Sequence, residues 1–426
     1  MYKKIKDNFL RKKVFVLNIF SLLVLQGGQY LLTLATLPYL ARVLSPSQFG
    51  IYGISLGIAQ YGLVITNYGF DLSASRSIAI SRGDNESIYS IFWSVMSAKF
   101  ILALVSVSSI FIMCIWVPSC NEFFLPIMLA SLQVFGAVLL PSWFFQGIEK
   151  LWGITIANLI ARFSGLPLFF VLVTKPDNLV CAIAIQTGIT IFSGVVGFFI
   201  VIVNKYVHFR KITFRSICYQ LSEGFSLFVS NIAISLYTMS TIVIMGFFSN
   251  SENAGLFSGV DKVRSAISGI FIILSGAIYP RINSVLLKNR TGALLLIKKV
   301  FIYQSVVTIS CSIFLYIFSH YVVLYGLGEH YMNAVSSLKI MSPLVFLVTT
   351  SVVFANYMLL SFGYKKIFMS IPLFMSIFHI AICIPLCYFY GVNGGSISIL
   401  CTEFVTNAIL LFFINRKGIL KEIIHV

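Results

Sequence analysis

Seven side chains able to carry charge or exchange a proton lie inside long apolar stretches: Lys99, Arg162, Asp261, Lys262, Arg264, His379 and Glu403. A charged side chain at lipid-facing depth costs about 3 kcal/mol or more, so each should face a cavity or a partner. Arg162 and Lys262 have the chemistry to grip phosphate or carboxylate oxygens, the first through a bidentate fork and the second as a compact charge. Lys99, about 12 Å into its helix at the α-helical rise, and Arg264 extend that positive set. Asp261, Glu403 and His379 can bind a small cation or exchange a proton, which is what ion coupling requires. Four deep cations against two carboxylates favour an anionic ligand. Structural roles compete with these: Asp261 and Arg264, at i and i+3, can form a local ion pair while Lys262 points elsewhere. Arg162 and Glu403 can pair to fix helix packing, and His379 can be a hydrogen-bonded packing residue. Asp71, Arg76, Glu223 and Lys339 sit at the ends of apolar runs, where snorkelling accounts for them.

The elements that must position these residues are transmembrane helices. Of 426 residues, 58% are hydrophobic and 10% charged, with a mean hydropathy of +0.96, which excludes a soluble enzyme or a secreted domain. Runs of about 20 apolar residues suffice to cross the bilayer as helices. The sequence predicts twelve, over 14–40, 49–70, 91–116, 123–145, 152–173, 179–203, 222–247, 255–280, 300–325, 337–362, 367–390 and 395–415. The basic flank 1–13 precedes an apolar run too long for a signal peptide, so it reads as an uncleaved first helix.

With that flank on the cytoplasmic side, 23 of the 30 Lys and Arg fall on inner connections, two (Arg42 and Lys175) on outer ones and five within spans. This positive-inside bias puts both termini in the cytoplasm. Most of the net charge of +17 is thus a topological device facing anionic membrane lipids and not a nucleic-acid footprint. Outer connections such as those at 249–254 and 391–394 are too short to hold a catalytic domain. No phosphate loop, metalloprotease helix or nucleophile elbow occurs, so no enzyme activity, cofactor or metal is expected. The eight cysteines read as small membrane side chains; Cys383 and Cys387, one turn apart, have no His or carboxylate beside them to complete a metal site.

The chain also carries traces of duplication. Ser45-Pro-Ser-Gln-Phe-Gly50-Ile-Tyr-Gly53 resembles Ser249-Asn-Ser-Glu-Asn-Ala-Gly255-Leu-Phe-Ser-Gly259, and Gly147-Ile-Glu-Lys150 resembles Gly363-Tyr-Lys-Lys366. Each match recurs six spans and about half a chain later. The expectation is an all-α membrane protein of two parallel-repeat six-helix halves around a central cavity, 1–203 and 222–426, joined by a cytoplasmic linker 204–221. Gly27-Gly28, Pro38, Pro343, Pro372 and Pro385 supply kink positions for a moving structure.

The runs Leu37-Pro-Tyr-Leu-Ala-Arg-Val-Leu44 with Phe49-Gly50, Tyr68-Gly69-Phe70, Trp143-Phe-Phe-Gln-Gly147-x-Glu149 and Asn253-Ala-Gly-Leu-Phe257 resemble the polysaccharide-transport branch of the multidrug/oligosaccharidyl-lipid/polysaccharide flippase superfamily, and within it Wzx-type O-antigen flippases. The resemblance implies ATP-independent alternating access, moving an undecaprenyl-pyrophosphate-linked oligosaccharide from the cytoplasmic to the periplasmic leaflet of a bacterial inner membrane. It implies an O-antigen polymerase and a chain-length regulator as partners, and basic residues in the lumen, which Lys99, Arg162, Lys262 and Arg264 could supply. Two alternatives stand beside it. A cation-coupled drug exporter of the same superfamily would want an acidic, aromatic cavity, and a membrane-embedded polymerase or glycosyltransferase would want a large outer loop.

Overall fold

The computed structural model describes residue 28 and residues 35–425. The basic flank 1–13, Gly27 and most of the expected first span 14–40 lie outside the described residues. Among the described residues every regular element is helical: α1 (35–43), α2 (Pro46–Asn67), α3 (Phe70–Ile80), α4 (Asn85–Trp116), α5 (Phe124–Ser131), α6 (Gln133–Leu139), α7 (Ser142–Gly147), α8 (Trp152–Leu172), α9 (Leu179–Val203) and α10 (Phe214–Phe248) come first. They are followed by α11 (Ser251–Leu286), α12 (Arg290–Ile317), α13 (Ser319–Gly326), α14 (Val335–Met341), α15 (Leu344–Val352), α16 (Lys365–Arg416) and α17 (Ile419–His425).

Several helix starts follow from local chemistry. Asp84, Asn250 and Asn289 cap α4, α11 and α12 by accepting from the backbone N–H three residues on, at 3.2, 2.7 and 3.0 Å. A short side-chain oxygen there satisfies an amide that the helix itself cannot.

Eight helical stretches among the described residues are long and apolar enough to cross a membrane, or ten when two bent pairs are each counted as one span. The bent pairs are Phe214–Leu236 with Thr238–Phe248, at 50°, and Glu329–Met341 with Leu344–Leu360, at 45°. The runs read as spans at 367–390 and 395–415 both lie in α16, whose 52 residues are broken only at Gly391 (φ 51°, ψ −126°). A left-handed glycine there turns the chain where a four-residue loop was expected. The run at 300–325 is divided at Phe318 between α12 and α13. Outward faces carry large apolar side chains, such as Phe100, Ile101, Leu104, Val105 and Ile112 of α4, as a lipid-facing helix requires. The protein is multi-pass, and all-helical among the described residues.

The described residues fall into two compact units, one within 1–36 and 54–235 and the other within 37–53 and 236–426; α2 and α10 each contribute to both. In the first unit, α9 packs on α5, α6 and α8, and α3 on α7. Gly136 of α6 lies against the Thr190 carbonyl of α9, and Gly194 against the Gly136 carbonyl, so neither leaves room for a Cβ. Small residues permit this backbone approach where no hydrophobic effect drives helices together. An aromatic core of Phe70, Phe92, Trp143, Phe144 and Phe145 fills the remainder.

The second unit is tied by interhelical hydrogen bonds suited to a lipid setting: Tyr357 donates to the Ser275 carbonyl (2.8 Å), Gln304 to Thr349 (3.0 Å) and Asn407 to Leu347 (3.0 Å). The two stretches that look alike in sequence are also partners here. A Cβ on Gly50 would strike the Ser251 carbonyl and one on Gly255 the Pro46 carbonyl, while the hydroxyls of Ser47 and Ser251 lie 2.8 Å apart.

Candidate functional site

In the first unit, α2, α6, α8 and α9 enclose a cavity of about 360 Å³ onto which Arg162 opens. Asn158 precedes Arg162 by one helical turn on α8; α9 contributes Gln186, Thr190 and Ser193, α6 contributes Gln133, and α2 contributes Gln60. No carboxylate is among the lining residues. Arg162 forms no ion pair or hydrogen bond with any described residue. Ser193 is only 3% exposed, and its hydroxyl has no partner among the described residues. Amides and hydroxyls offer both donors and acceptors, the complement of a sugar, and the guanidinium adds a fork for an anionic oxygen pair.

Arg162 stands out in the sequence as a charge inside an apolar run; its amide neighbours do not. Their signal was the spacing of Asn158 with Arg162 and Gln186 with Thr190, each pair at i and i+4 on one helix face.

Lys99 is in the same unit but does not line that cavity. It is 1% exposed, and its Nζ donates to the Ala137 carbonyl at 2.5 Å. That carbonyl lies in the last turn of α6, where carbonyls lack an intrahelical donor and a cation is favourable. Lys99 therefore closes a helix end.

The other five candidates fall in the second unit. Arg264 grips Asp261 through Nη2 at 2.6 Å and Nε at 3.0 Å, and also donates to the Ser265 hydroxyl at 2.8 Å. The spacing that allowed a local pair produces one. Lys262, on the next face, places its ammonium 4.7 Å from the Phe49 ring centre and 5.2 Å from that of Tyr52. This is a cation–π seat on the first turns of α2. His379 is fully buried, with Nε2 3.0 Å from the Thr241 hydroxyl and Nδ1 2.9 Å from that of Thr402. Glu403, next along α16, is 5% exposed, and its Oε2 has no partner among the described residues. Cys383 and Cys387 are buried with sulfurs 3.6 Å apart, and no cluster of three potential metal ligands occurs among the described residues.

The sequence motifs behind the family resemblance do structural work. Tyr68 (φ 49°) and Gly69 (φ 87°) break the chain between α2 and α3, and a Cβ on Gly69 would meet Leu227. Trp143, Phe144 and Phe145 are buried in the aromatic core, and Arg82 ties down the following turn through the Gly147 carbonyl and Glu149, both at 2.9 Å.

Residues 15–286 match the family model described as polysaccharide biosynthesis protein. The chain belongs to that family. It is 32% identical over 403 residues to an Escherichia coli (strain K12) protein named "Putative O-antigen transporter", covering 95% of this chain and 97% of the relative. Among solved structures it superposes on the lipid II flippase MurJ in an inward closed conformation with a TM-score of 0.73 at 14% identity, covering 96% of this chain and 90% of that one. It superposes on an inward-facing multidrug resistance MATE family transporter with a TM-score of 0.69 at 15% identity, over 92% and 95% of the two chains. At such identities the likeness establishes the fold, that of a membrane transporter.

Proposed function

We propose that this chain is a flippase for an undecaprenyl-pyrophosphate-linked oligosaccharide, an O-antigen repeat unit, carried from the cytoplasmic to the periplasmic leaflet of the bacterial inner membrane by ATP-independent alternating access. The chain is a transporter and not an enzyme. The observation that carries the substrate class is the amide-lined cavity around Arg162, which has no partner among the described residues, in a chain similar over 95% of its length to a protein named as an O-antigen transporter. A cation-coupled drug exporter is disfavoured by the same cavity, which presents a guanidinium and no carboxylate.

In this reading twelve spans form two six-helix halves, 1–203 and 222–426, joined by the linker 204–221, with both termini cytoplasmic. Arg162 grips the anionic part of the cargo; Lys99 holds the end of α6 in the same unit, and Lys262 and Arg264 add positive charge to the second unit. Glu403, whose Oε2 has no partner among the described residues, is the first choice for a coupling ion or proton, ahead of Asp261, which Arg264 occupies, and His379, which two threonines occupy. Downstream partners are an O-antigen polymerase and a chain-length regulator.

The test is complementation of O-antigen display in a flippase-deficient strain, followed by flipping of the lipid-linked repeat unit in proteoliposomes with and without an imposed ion gradient. Absence of flipping by protein that is folded and inserted sinks the proposal. Cysteines introduced at Pro46, Pro176, Ser251 and Val392 should be labelled from the periplasm; cytoplasmic labelling of two or more would sink the topology.

A further inference from the structure

A second cleft of about 640 Å³ opens in the first unit where the end of α3, the start of α4 and the start of α10 meet. It is separate from the Arg162 cavity and shares no lining residue with it. Two guanidiniums, Arg76 and Arg215, line it, and neither has an ion-pair or hydrogen-bond partner among the described residues. Between them lies a hydroxyl-rich wall. Ser94 and Ser216 are engaged with each other at 2.9 Å, while Ser90 and Ser81 make no side-chain hydrogen bond with a described residue.

Gln220, 5% exposed, also lines the cleft, and its carbonyl oxygen has no partner among the described residues. A buried acceptor left unpaired is costly, so a ligand or water should complete it. The rim is apolar and open: Ile80 is 73% exposed and Tyr219 60%. Glu223 is the sole carboxylate among the lining residues, so the two guanidiniums leave the cleft net positive.

The demands of these groups are specific. Two unpaired guanidiniums ask for phosphate or other anionic oxygens. The Gln220 carbonyl asks for a donor, which an ionised phosphate lacks and a sugar hydroxyl or acetamido N–H supplies. Exposed Ile80 and Tyr219 ask for hydrocarbon. One molecule carrying a diphosphate, a sugar and a polyprenyl tail satisfies all three. We infer that this cleft is a docking site for the diphosphate–sugar head group of a polyprenyl-linked substrate on the cytoplasmic face, occupied before the cargo reaches the Arg162 cavity. The inference rests on the flippase reading and on its orientation, which puts Arg76, Arg215 and the 204–216 segment inside. A phospholipid with an anionic head group offers the same phosphate chemistry, and the test separates the two sources.

The full chain in nanodiscs would be titrated with a short-chain isoprenyl diphosphate bearing N-acetylglucosamine, and with farnesyl diphosphate, which lacks the sugar, in bilayers of phosphatidylcholine alone or with phosphatidylglycerol. The variants are Arg76→Gln/Arg215→Gln, the charge-keeping Arg76→Lys/Arg215→Lys, Gln220→Leu and, as a comparison at the other cavity, Arg162→Gln. Expected is tight binding of the sugar probe, weakened about tenfold or more for each arginine removed, with the Lys pair intermediate. Gln220→Leu should erase the preference for the sugar probe over farnesyl diphosphate while leaving the latter's binding intact. Arg162→Gln should block transport and keep the cleft's own binding component, the one that Arg76→Gln/Arg215→Gln removes, while losing the component due to the Arg162 cavity.

Sugar-probe binding by the Arg76→Gln/Arg215→Gln variant at wild-type strength overturns the cleft alone. Loss in that variant of phosphatidylglycerol dependence, with probe binding retained, assigns the cleft to a phospholipid head group and also overturns it. No probe binding by the wild-type protein removes the docking site, and failure of flipping in the same preparation removes the flippase reading with it.

Discussion

Arg162 and Arg264 are both guanidiniums carried at membrane depth on long helices, yet their surroundings divide them. Arg264 holds Asp261 at 2.6 Å and Ser265 at 2.8 Å, whereas Arg162 has no such partner among the described residues and opens onto a 360 Å³ cavity of amides and hydroxyls. Lys262 falls between them, partnered by the rings of Phe49 and Tyr52 and, among the described residues, by no carboxylate oxygen within ion-pair distance. A buried charge already satisfied by the protein stabilises the fold or holds its register. One left unsatisfied is available for a ligand. Substitutions in the two units should therefore move different observables.

The largest effect is expected from Asp261→Asn, which strands the Arg264 guanidinium. With side chains only 11% and 29% exposed, losing one partner should cost about 3 to 5 kcal/mol of stability. It is read as a lowered Tm and reduced membrane level, with partial recovery in Asp261→Asn/Arg264→Met. A stable single variant would mean that the pair is not what holds α11.

Arg162→Gln should do the reverse. Stability should stay near wild type, while cargo affinity falls by about 1.5 to 3 kcal/mol, roughly 10 to 150-fold, with Arg162→Lys between. O-antigen display at matched membrane levels checks it. Rescue by Glu403→Gln would instead make Arg162 one partner of a structural ion pair and collapse the contrast between the two arginines.

Lys262→Met should cost up to about 2 kcal/mol of stability by removing the charge from the two rings, and Lys262→Arg should keep most of it. Undiminished stability combined with lost transport would move Lys262 to the ligand side. A comparable effect on stability is expected from His379→Leu, about 1 kcal/mol for each hydrogen bond lost to Thr241 and Thr402, and the smallest effect on transport. The pH profile of flipping should not change. A shifted profile would return His379 to the coupling role.

Much of the fold was legible in the chain. Apolar runs located the long helices because a bilayer admits only backbones whose polar groups are satisfied internally, and helices do this within one segment. The resemblance between the stretches around Gly50 and Gly255 was visible as well, although as a repeat and not as a contact. Gly391 misled the reading: a loop of four residues was expected, and one left-handed residue sufficed. The site was half legible. Charge in an apolar run singled out Arg162, but Gln60, Gln133 and Gln186 are ordinary polar residues until three helices bring them round one guanidinium. Lys99 looked like a lumen cation and instead caps the end of α6, because a lone cation and a C-terminal carbonyl 38 residues away carry no joint signature in the sequence.

What the sequence alone determined is what depends on one segment at a time: which runs are long and apolar enough to cross a membrane, Asp and Asn at helix starts, the Asp261–Arg264 pair from its i, i+3 spacing, and the family. Tertiary structure decided which charges are satisfied. Lys262 reaches rings on α2, and His379 reaches hydroxyls on α10 and further along α16. Helical periodicity fixes neighbours on one face of one helix; partners on another helix depend on which faces meet and where the axes cross, and those are set only when every segment packs together.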